Sequence, residues 1–439
     1  MRSTVAAALA LVILSTPHVA AAEDAATSAE VARLSELVRS HEAELQKLRE
    51  EKSRFRVSGY VQNEWVPFRQ SSEDEVDPST GQPLNLQRFL IRRARMRLEA
   101  ERGYVIGSFE LDANTLHGIQ VRPFNAEATI RWPAGDPGEG PFVAATMGLF
   151  LTPFGYEAAE ADGLRPFLER TTAIQAFFPS SADLGFRLRG GYRFVTYSLG
   201  IMNGEPIGES TFPGVDPNES KDVVGRIQAH GSFGPRVKVA AGVSGLSGQG
   251  FHAGTRPTKD ALLWRDVNED GVVQTTEVQV IAGSAGTPSE NFKRFALGAD
   301  LQVHVDVPIL GEFAARAEIV RASNLDRGYV NSDPVAAGRD YRQLGWQLGF
   351  VQELTKWGLV GFRYDVYDPD FDASEQKALR VVPVDRTHTT TSVLAAVRYE
   401  KAKLVGQFDH SDNHLGRGTN GLPARLADDT FTLRVHVGF

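Results

Sequence analysis

Phe431-Thr432-Leu433-Arg434-Val435-His436-Val437-Gly438-Phe439 puts an apolar residue at every odd position and a polar or small one at every even position. Side chains leave a β-strand on alternate faces, so this segment has one oily face and one wet face. The same rhythm recurs hundreds of residues earlier. Phe55, Val57, Val61 and Trp65 are apolar, while Arg56, Ser58, Tyr60, Gln62 and Glu64 fill the other parity. Such strands suit a sheet between hydrocarbon and water. Backbone groups in hydrocarbon find no water, so a sheet of this kind has to close on itself.

Working inward from these two ends gives sixteen segments of the same type, near 54–66, 87–100, 103–113, 122–132, 142–151, 183–190, 191–203, 221–233, 235–247, 291–305, 308–322, 340–353, 356–367, 384–399, 401–411 and 428–439. Their connections alternate in length. Short ones are read at Glu101-Arg102-Gly103, Gly190-Gly191, Gly234-Pro235 and Val307-Pro308. Long ones are read at 67–86, 152–182, 204–220, 248–290, 323–339, 368–383 and 412–427. Tight periplasmic turns and long external loops are the pattern of an antiparallel transmembrane barrel with both termini in the periplasm. Sixteen strands leave a water-filled channel rather than a packed interior. Phe439, closing an outward row, resembles the terminal signal read by barrel-insertion machinery.

The front of the chain has a different character. Arg2, the apolar run Val5–Leu14 and Ala20-Ala21-Ala22 predict a signal peptide over residues 1–22, cleaved before Glu23. Residues 23–53 are expected to form a periplasmic helix. Within them, 27–52 carry a heptad, with Val31, Val38 and Leu45 in one row and Leu34, His41 and Leu48 in the other. A coil of about three heptads is marginal alone and needs help from a barrel that oligomerises, in two copies or as a homotrimer. Residues 54–439 form the barrel domain in this reading.

Composition removes several classes. The chain has no cysteine, which excludes a lipid-modified N-terminal cysteine, a disulfide framework and a thiolate metal site. After the signal there is no apolar run of 18 residues. The net charge of −8 argues against nucleic acid as a partner. His18, His230, His304 and His436 form no metal spacing, and no Gly-x-Ser-x-Gly, phosphate loop or dinucleotide fingerprint is present, so no enzyme is expected.

The charges that matter lie on the second strand, Arg88-Phe89-Leu90-Ile91-Arg92-Arg93-Ala94-Arg95-Met96-Arg97-Leu98-Glu99. Leu90, Ala94, Met96 and Leu98 take the outward parity, and Arg93, Arg95 and Arg97 stack on the other, about 7 Å apart. An outward arginine near mid-bilayer costs about 2–4 kcal/mol, so the stack points inward. Arg131, Arg187, Arg189, Arg226, Arg316, Arg363, Arg398 and Arg434 are further lumen candidates. A guanidinium keeps its charge and offers a planar fork to phosphate or carboxylate. Inward carboxylates are read at Glu99, Glu110, Asp112, Glu127, Asp300, Glu318 and Asp365. Two readings follow: unpaired arginines favour anions, and arginines paired with these carboxylates give a channel without strong preference.

Met147-Gly148-Leu149-Phe150-Leu151-Thr152-Pro153-Phe154-Gly155-Tyr156-Glu157 resembles a signature of the phosphate-selective porin O and P family. Phe167-Leu168-Glu169-Arg170, Asp183-Leu184-Gly185 and Leu199-Gly200-Ile201-Met202-Asn203-Gly204 follow in matching order, and Arg92–Leu98 fits upstream. The resemblance spans most of 54–439 and implies a sixteen-stranded trimer in lipid and lipopolysaccharide of a Gram-negative outer membrane. It also implies that the loop 152–182 folds into the channel, with Arg165, Glu169 and Arg170 as lining groups. Leu151 and Ala182 depart from the lysine and arginine common in relatives. The family includes general anion and small-solute channels, so the implied function is passive diffusion of small anions such as phosphate or polyphosphate. A general porin or a structural, adhesive barrel is the alternative.

One further motif stands apart. Asp266-Val267-Asn268-Glu269-Asp270-Gly271-Val272-Val273-Gln274-Thr275-Thr276-Glu277 matches the twelve-residue EF-hand loop. Asp266, Asn268, Asp270, the Val272 carbonyl, Gln274 and Glu277 would supply oxygen to Ca2+ and so stiffen the long loop.

Overall fold

The computed structural model describes residues 33–44, 55–69, 87–116, 118–132, 141–205, 216–414, 426–427 and 429–439. The expected signal peptide lies outside them, as do the ends of the expected coil. Residues 33–44 are helical, with Leu34, Leu37 and Val38 exposed.

The chain from Val57 onward is a compact unit and a closed antiparallel barrel of sixteen strands. They are β1 Phe55–Arg69, β2 Arg88–Arg102, β3 Val105–Asn114, β4 Gln120–Trp132, β5 Val143–Leu151, β6 Ala182–Tyr192, β7 Val195–Met202 and β8 Asp222–Phe233. The second half comprises β9 Val237–His252, β10 Glu290–Val307, β11 Gly311–Ser323, β12 Arg342–Leu354, β13 Gly358–Asp368, β14 His388–Tyr399, β15 Ala402–Asn413 and β16 Thr430–Gly438. Each pairs with its sequence neighbour, and β16 returns to β1 with Tyr60 opposite Gly438 and Glu64 opposite Arg434. That seam leaves no unpaired edge.

The alternation in β16 is realised. Val435, Val437 and Phe439 are exposed, whereas Thr432, Arg434 and His436 are buried toward the lumen. Outward rows elsewhere carry Phe109, Met147, Leu297, Leu348 and Phe408. At the short-turn end, ring pairs Tyr104–Trp132, Phe142–Tyr192 and Trp357–Tyr399 form an exposed aromatic belt. Amphipathic rings favour the headgroup level, and a belt there fixes that end of the barrel at an interface.

Two expectations are corrected. The turn expected at Gly190-Gly191 sits at Arg193-Phe194, with Arg193 in the left-handed region at φ 54°. The glycines belong to β6, where a Cβ on Gly190 would strike the Phe142 carbonyl and the Tyr197 hydroxyl. They make room for neighbouring strands rather than a bend. The strict parity of β2 also fails. Its alternation slips between Arg92 and Arg93, so Arg88, Leu90 and Arg92 line one lumen cavity while Arg95 and Arg97 line another. Phe89 at 80% exposure and Met96 at 42% face out on either side of the slip. Leu90 is therefore an inward residue, and Arg92 joins Arg93 on the wet face. Adjacent residues share a face when a strand is locally irregular.

The long loops also hold structure that their composition did not announce. Ala261–Trp264 pairs with Val278–Ile281, and Ser374–Lys377 pairs with Arg380–Pro383. After β11, a short helix, Pro334–Ala337, begins with Pro at its first turn. Asp333 caps its Val335 and Ala336 amides, and left-handed Gly338 ends it.

Candidate functional site

Between β5 and β6 the chain leaves the wall at Thr152 and returns at Ala182, and the intervening loop crosses the lumen. Its first anchor is aromatic. Phe154, Ile174, Phe177 and Phe178 are buried in one cluster with Met202 of β7, Val224 of β8, Leu246 of β9, Ala296 of β10 and Val320 of β11. These wall residues are inward, yet apolar. The loop covers them, which removes the usual need for a wet inner face. Small residues seat the rings: a Cβ on Gly298 would lie 3.0 Å from the Phe154 ring. Gly155, at φ 57°, passes so close to Glu318 that any Cβ would strike its carboxylate, which gives the glycine of the Pro-Phe-Gly motif a physical cause. The helix Thr172–Phe177 forms here because it buries Ala173, Ile174, Ala176 and Phe177.

A second apolar contact holds the middle of the loop. Phe167 and Leu168 pack with Leu394, Ala396 and Val405 of β14 and β15. Polar bonds then tie the loop around the wall. Ser244 Oγ accepts from the Gly155 amide (3.0 Å), and Arg316 donates to Glu160 (3.0 Å). Gln347 donates to Glu157 (2.9 Å), Gln407 accepts from the Leu168 amide (2.9 Å) and Arg363 donates to the Glu169 carbonyl (2.8 Å).

The far side is a clasp of charge. Arg92 donates to both oxygens of Glu169 at 2.8 and 2.7 Å, and Arg93 does so at 3.0 and 2.8 Å. Arg434 reaches the same carboxylate at 2.6 Å while also pairing with Glu64. Asp162 meets Arg93 at 3.2 Å and Arg95 at 2.6 Å. Burial pushes the Glu169 carboxyl up, but Arg92, Arg93 and Arg434 outweigh it and hold this loop group well below the usual carboxylate range.

Several of the other expected lumen arginines find partners in the wall. Arg95 also pairs with Asp112 (3.0 Å) and Arg97 with Glu99 (3.3 Å) and Glu110 (3.7 Å). The β2–β3 register sets Arg95 opposite Asp112 and Arg97 opposite Glu110, so a basic ladder faces an acidic one. Arg131 pairs with Glu101, Arg187 with Glu127 (3.2 Å) and Arg226 with Asp300. Arg187 and Arg95 also lie over the Phe150 and Phe124 rings at 4.5 and 3.4 Å. Arg189 has no ion pair among the described residues; it lines a cavity of about 760 Å³ with Arg193, Arg226 and His230. Arg165 and Arg170 turn into the loop itself, onto Asp162, and Arg170 also donates to the Ala158 carbonyl (3.1 Å). Burial brings the Arg170 guanidinium down to about 10.

The twelve-residue acidic loop joins the hairpin strands Ala261–Trp264 and Val278–Ile281. Its oxygens are engaged internally. Asp266 accepts from Asp270 and Gly271 amides (3.2 and 2.8 Å), Asn268 from the Asp270 amide (3.1 Å) and Asp270 from Val272 N and Gln274 Nε2 (2.8 and 2.7 Å). Glu277 accepts from Val267 N at 3.1 Å and Trp264 Nε1 at 3.3 Å. Among the described residues no group of three or more acidic or histidine side chains is arranged to hold a metal ion.

No family model matches the chain. No curated protein matches it in sequence. The barrel itself is shared with solved structures. The outer membrane channel DcaP of Acinetobacter baumannii is 11% identical with a TM-score of 0.51, over 88% of this chain and 97% of that one. The anion-selective porin from Comamonas acidovorans is 10% identical with a TM-score of 0.50, over 88% and 99%. A loop L8 deletion mutant of OmpT, an outer membrane protein of Vibrio cholerae, is 9% identical with a TM-score of 0.50, over 88% and 99%. At such identities the likeness is one of fold: this chain has the barrel of known outer-membrane channels.

Proposed function

We propose that the protein is an outer-membrane porin that passes small solutes by passive diffusion, with a preference for anions such as phosphate. The observation that carries this reading is the convergence of Arg92, Arg93, Arg95 and Arg434 on the one side of the lumen where the crossing loop is held by charge. Guanidiniums gathered at one point of a channel wall offer planar forks to a passing carboxylate or phosphate. The general-porin reading has its own support, because Arg95, Arg97, Arg187 and Arg226 are paired with carboxylates of the wall. Reversal potentials in a planar bilayer under a salt gradient decide between them. Anion selectivity is expected; a cation-selective or zero reversal potential leaves a general porin, and absence of conductance leaves a structural barrel.

In this reading the mature chain sits in the lipid and lipopolysaccharide of a Gram-negative outer membrane, and the exposed Leu34, Leu37 and Val38 row associates with copies of itself as a trimer. Calcium at Asp266, Asn268, Asp270, Val272, Gln274 and Glu277 belongs to the proposal as well. It requires the internal hydrogen bonds of Glu277 to yield to the ion. Calorimetric titration with about millimolar calcium, the range of weak extracellular sites, is expected to show one site that D266A/E277A abolishes. No heat in the unmutated protein would remove calcium from the proposal.

A further inference from the structure

Three neighbouring strands show a divide in the lumen. Val66 on β1, Leu90 on β2 and Thr432 on β16, toward the long-loop end, line a cavity of about 360 Å³. Tyr60, Arg97 and His436 on the same strands, toward the short-turn end, line another of about 370 Å³. The two share no lining residue. At the level between them Arg92, Arg93 and Arg434 meet Glu169.

Two features set this contact apart from an ordinary loop tether. First, one carboxylate takes five hydrogen bonds from three guanidiniums, and two of these donors bind it bidentately. Planar forks of this kind match any carboxylate or phosphate. Second, Arg92 and Arg93 reach the same point only because β2 breaks its alternation between them. Irregularities that re-aim side chains recur next to functional sites. The loop does not need Glu169 to stay docked, since Phe167 and Leu168 are buried against β14 and β15. The side chain also borders the upper cavity.

We propose that Arg92, Arg93 and Arg434 form an exchangeable oxyanion site, held in this structure by the protein's own Glu169. A carboxylate- or phosphate-bearing solute entering from the upper cavity takes the forks as Glu169 rotates out, and Glu169 expels it toward the lower cavity on its return. The inference deepens the anion-porin reading and rests on it. An internal competitor lowers apparent affinity by the fraction of time it leaves the site free; one in place nine-tenths of the time costs about tenfold.

The test is chloride current through the full-length protein in planar bilayers, with inorganic phosphate in one series and acetate in another. In E169Q, half-inhibition by either anion is expected at about tenfold lower concentration than in the unmutated channel. Adding Arg93→Gln is expected to reverse that gain. A gain with phosphate alone identifies phosphate as the fitting oxyanion, and a gain with acetate alone identifies a carboxylate. Half-inhibition unchanged for both anions overturns the site. Should E169Q fail to insert, E169D, which keeps the charge but shortens the reach, is read by the same criterion: lower half-inhibition supports the site, and no change rejects it. Cation selectivity of the unmutated channel would sink the porin's anion preference. Anion selectivity with an E169Q indistinguishable from it would sink only the exchangeable site.

Discussion

One loop is held at two ends by different physics. On the β7–β11 side, Phe154, Ile174, Phe177 and Phe178 bury apolar surface against an apolar wall. On the β16–β1–β2 side, Asp162 and Glu169 are gripped by guanidiniums. Packing is non-directional and has no charge to titrate or screen, whereas a charge clasp responds to both pH and ionic strength. The packed end sets where the loop crosses the lumen. The clasped end is the part that solutes can compete for.

The largest effect should come from the packed end. Phe154→Ala or Phe177→Ala removes a fully buried ring and is expected to cost the docked loop about 3–5 kcal/mol. Hydrogen exchange of residues 152–181 reads it directly. Protection that survives both substitutions would mean the clasp alone holds the loop, and the contrast would collapse.

Acid should separate the two ends. Glu169 is held well below the usual carboxylate range when docked, so its contribution is fully present above the free value of about 4.3. It is lost only as pH falls through the lower docked value. The charged neighbours are Arg92 and Arg93 on β2, Arg434 on β16, Glu64 on β1, Arg363 on β13, Asp409 on β15, and Asp162, Arg165 and Arg170 in the loop. Protection around residue 169, taken relative to the intrinsic exchange rate at each pH, should stay unchanged from about pH 7 to about pH 5 and fall in stronger acid, while Phe154 and Phe177 remain protected. Simultaneous loosening of both ends would show a single cooperative unit.

The smallest effect is expected far from the loop. Arg131 and Glu101 pair near the short-turn rim with side chains 22% and 32% exposed. Arg131→Gln should cost at most about 1 kcal/mol in denaturant titration and leave conductance unchanged. A changed conductance would place selectivity at the rim instead of the clasp.

The difference between the ends also explains what could be read in advance. Strand positions were legible because lipid on one side and water on the other impose a period of two, as in Phe431–Phe439. The pairing of Arg95 and Arg97 was half legible, since Asp112 and Glu110 share their parity on the next strand. The slip at Arg92 was not, because a local irregularity leaves no periodic trace. Met202, Val224, Leu246 and Val320 did carry a signal: apolar residues on the wet parity mark the wall beneath a loop. Arg165 and Arg170 were placed in the lumen by resemblance, but a loop has no parity to show that both turn back upon Asp162.

The seam between the first and last strands has a consequence for assembly. Arg434 and Glu64 meet across 370 positions of chain. Every other barrel contact can grow outward from hairpins, whereas this one must wait for the whole polypeptide. Until it forms, two raw edges stay open to stray partners. Contacts between such distant positions are slow to find, so the newborn chain needs an escort and a surface on which its ends are brought together.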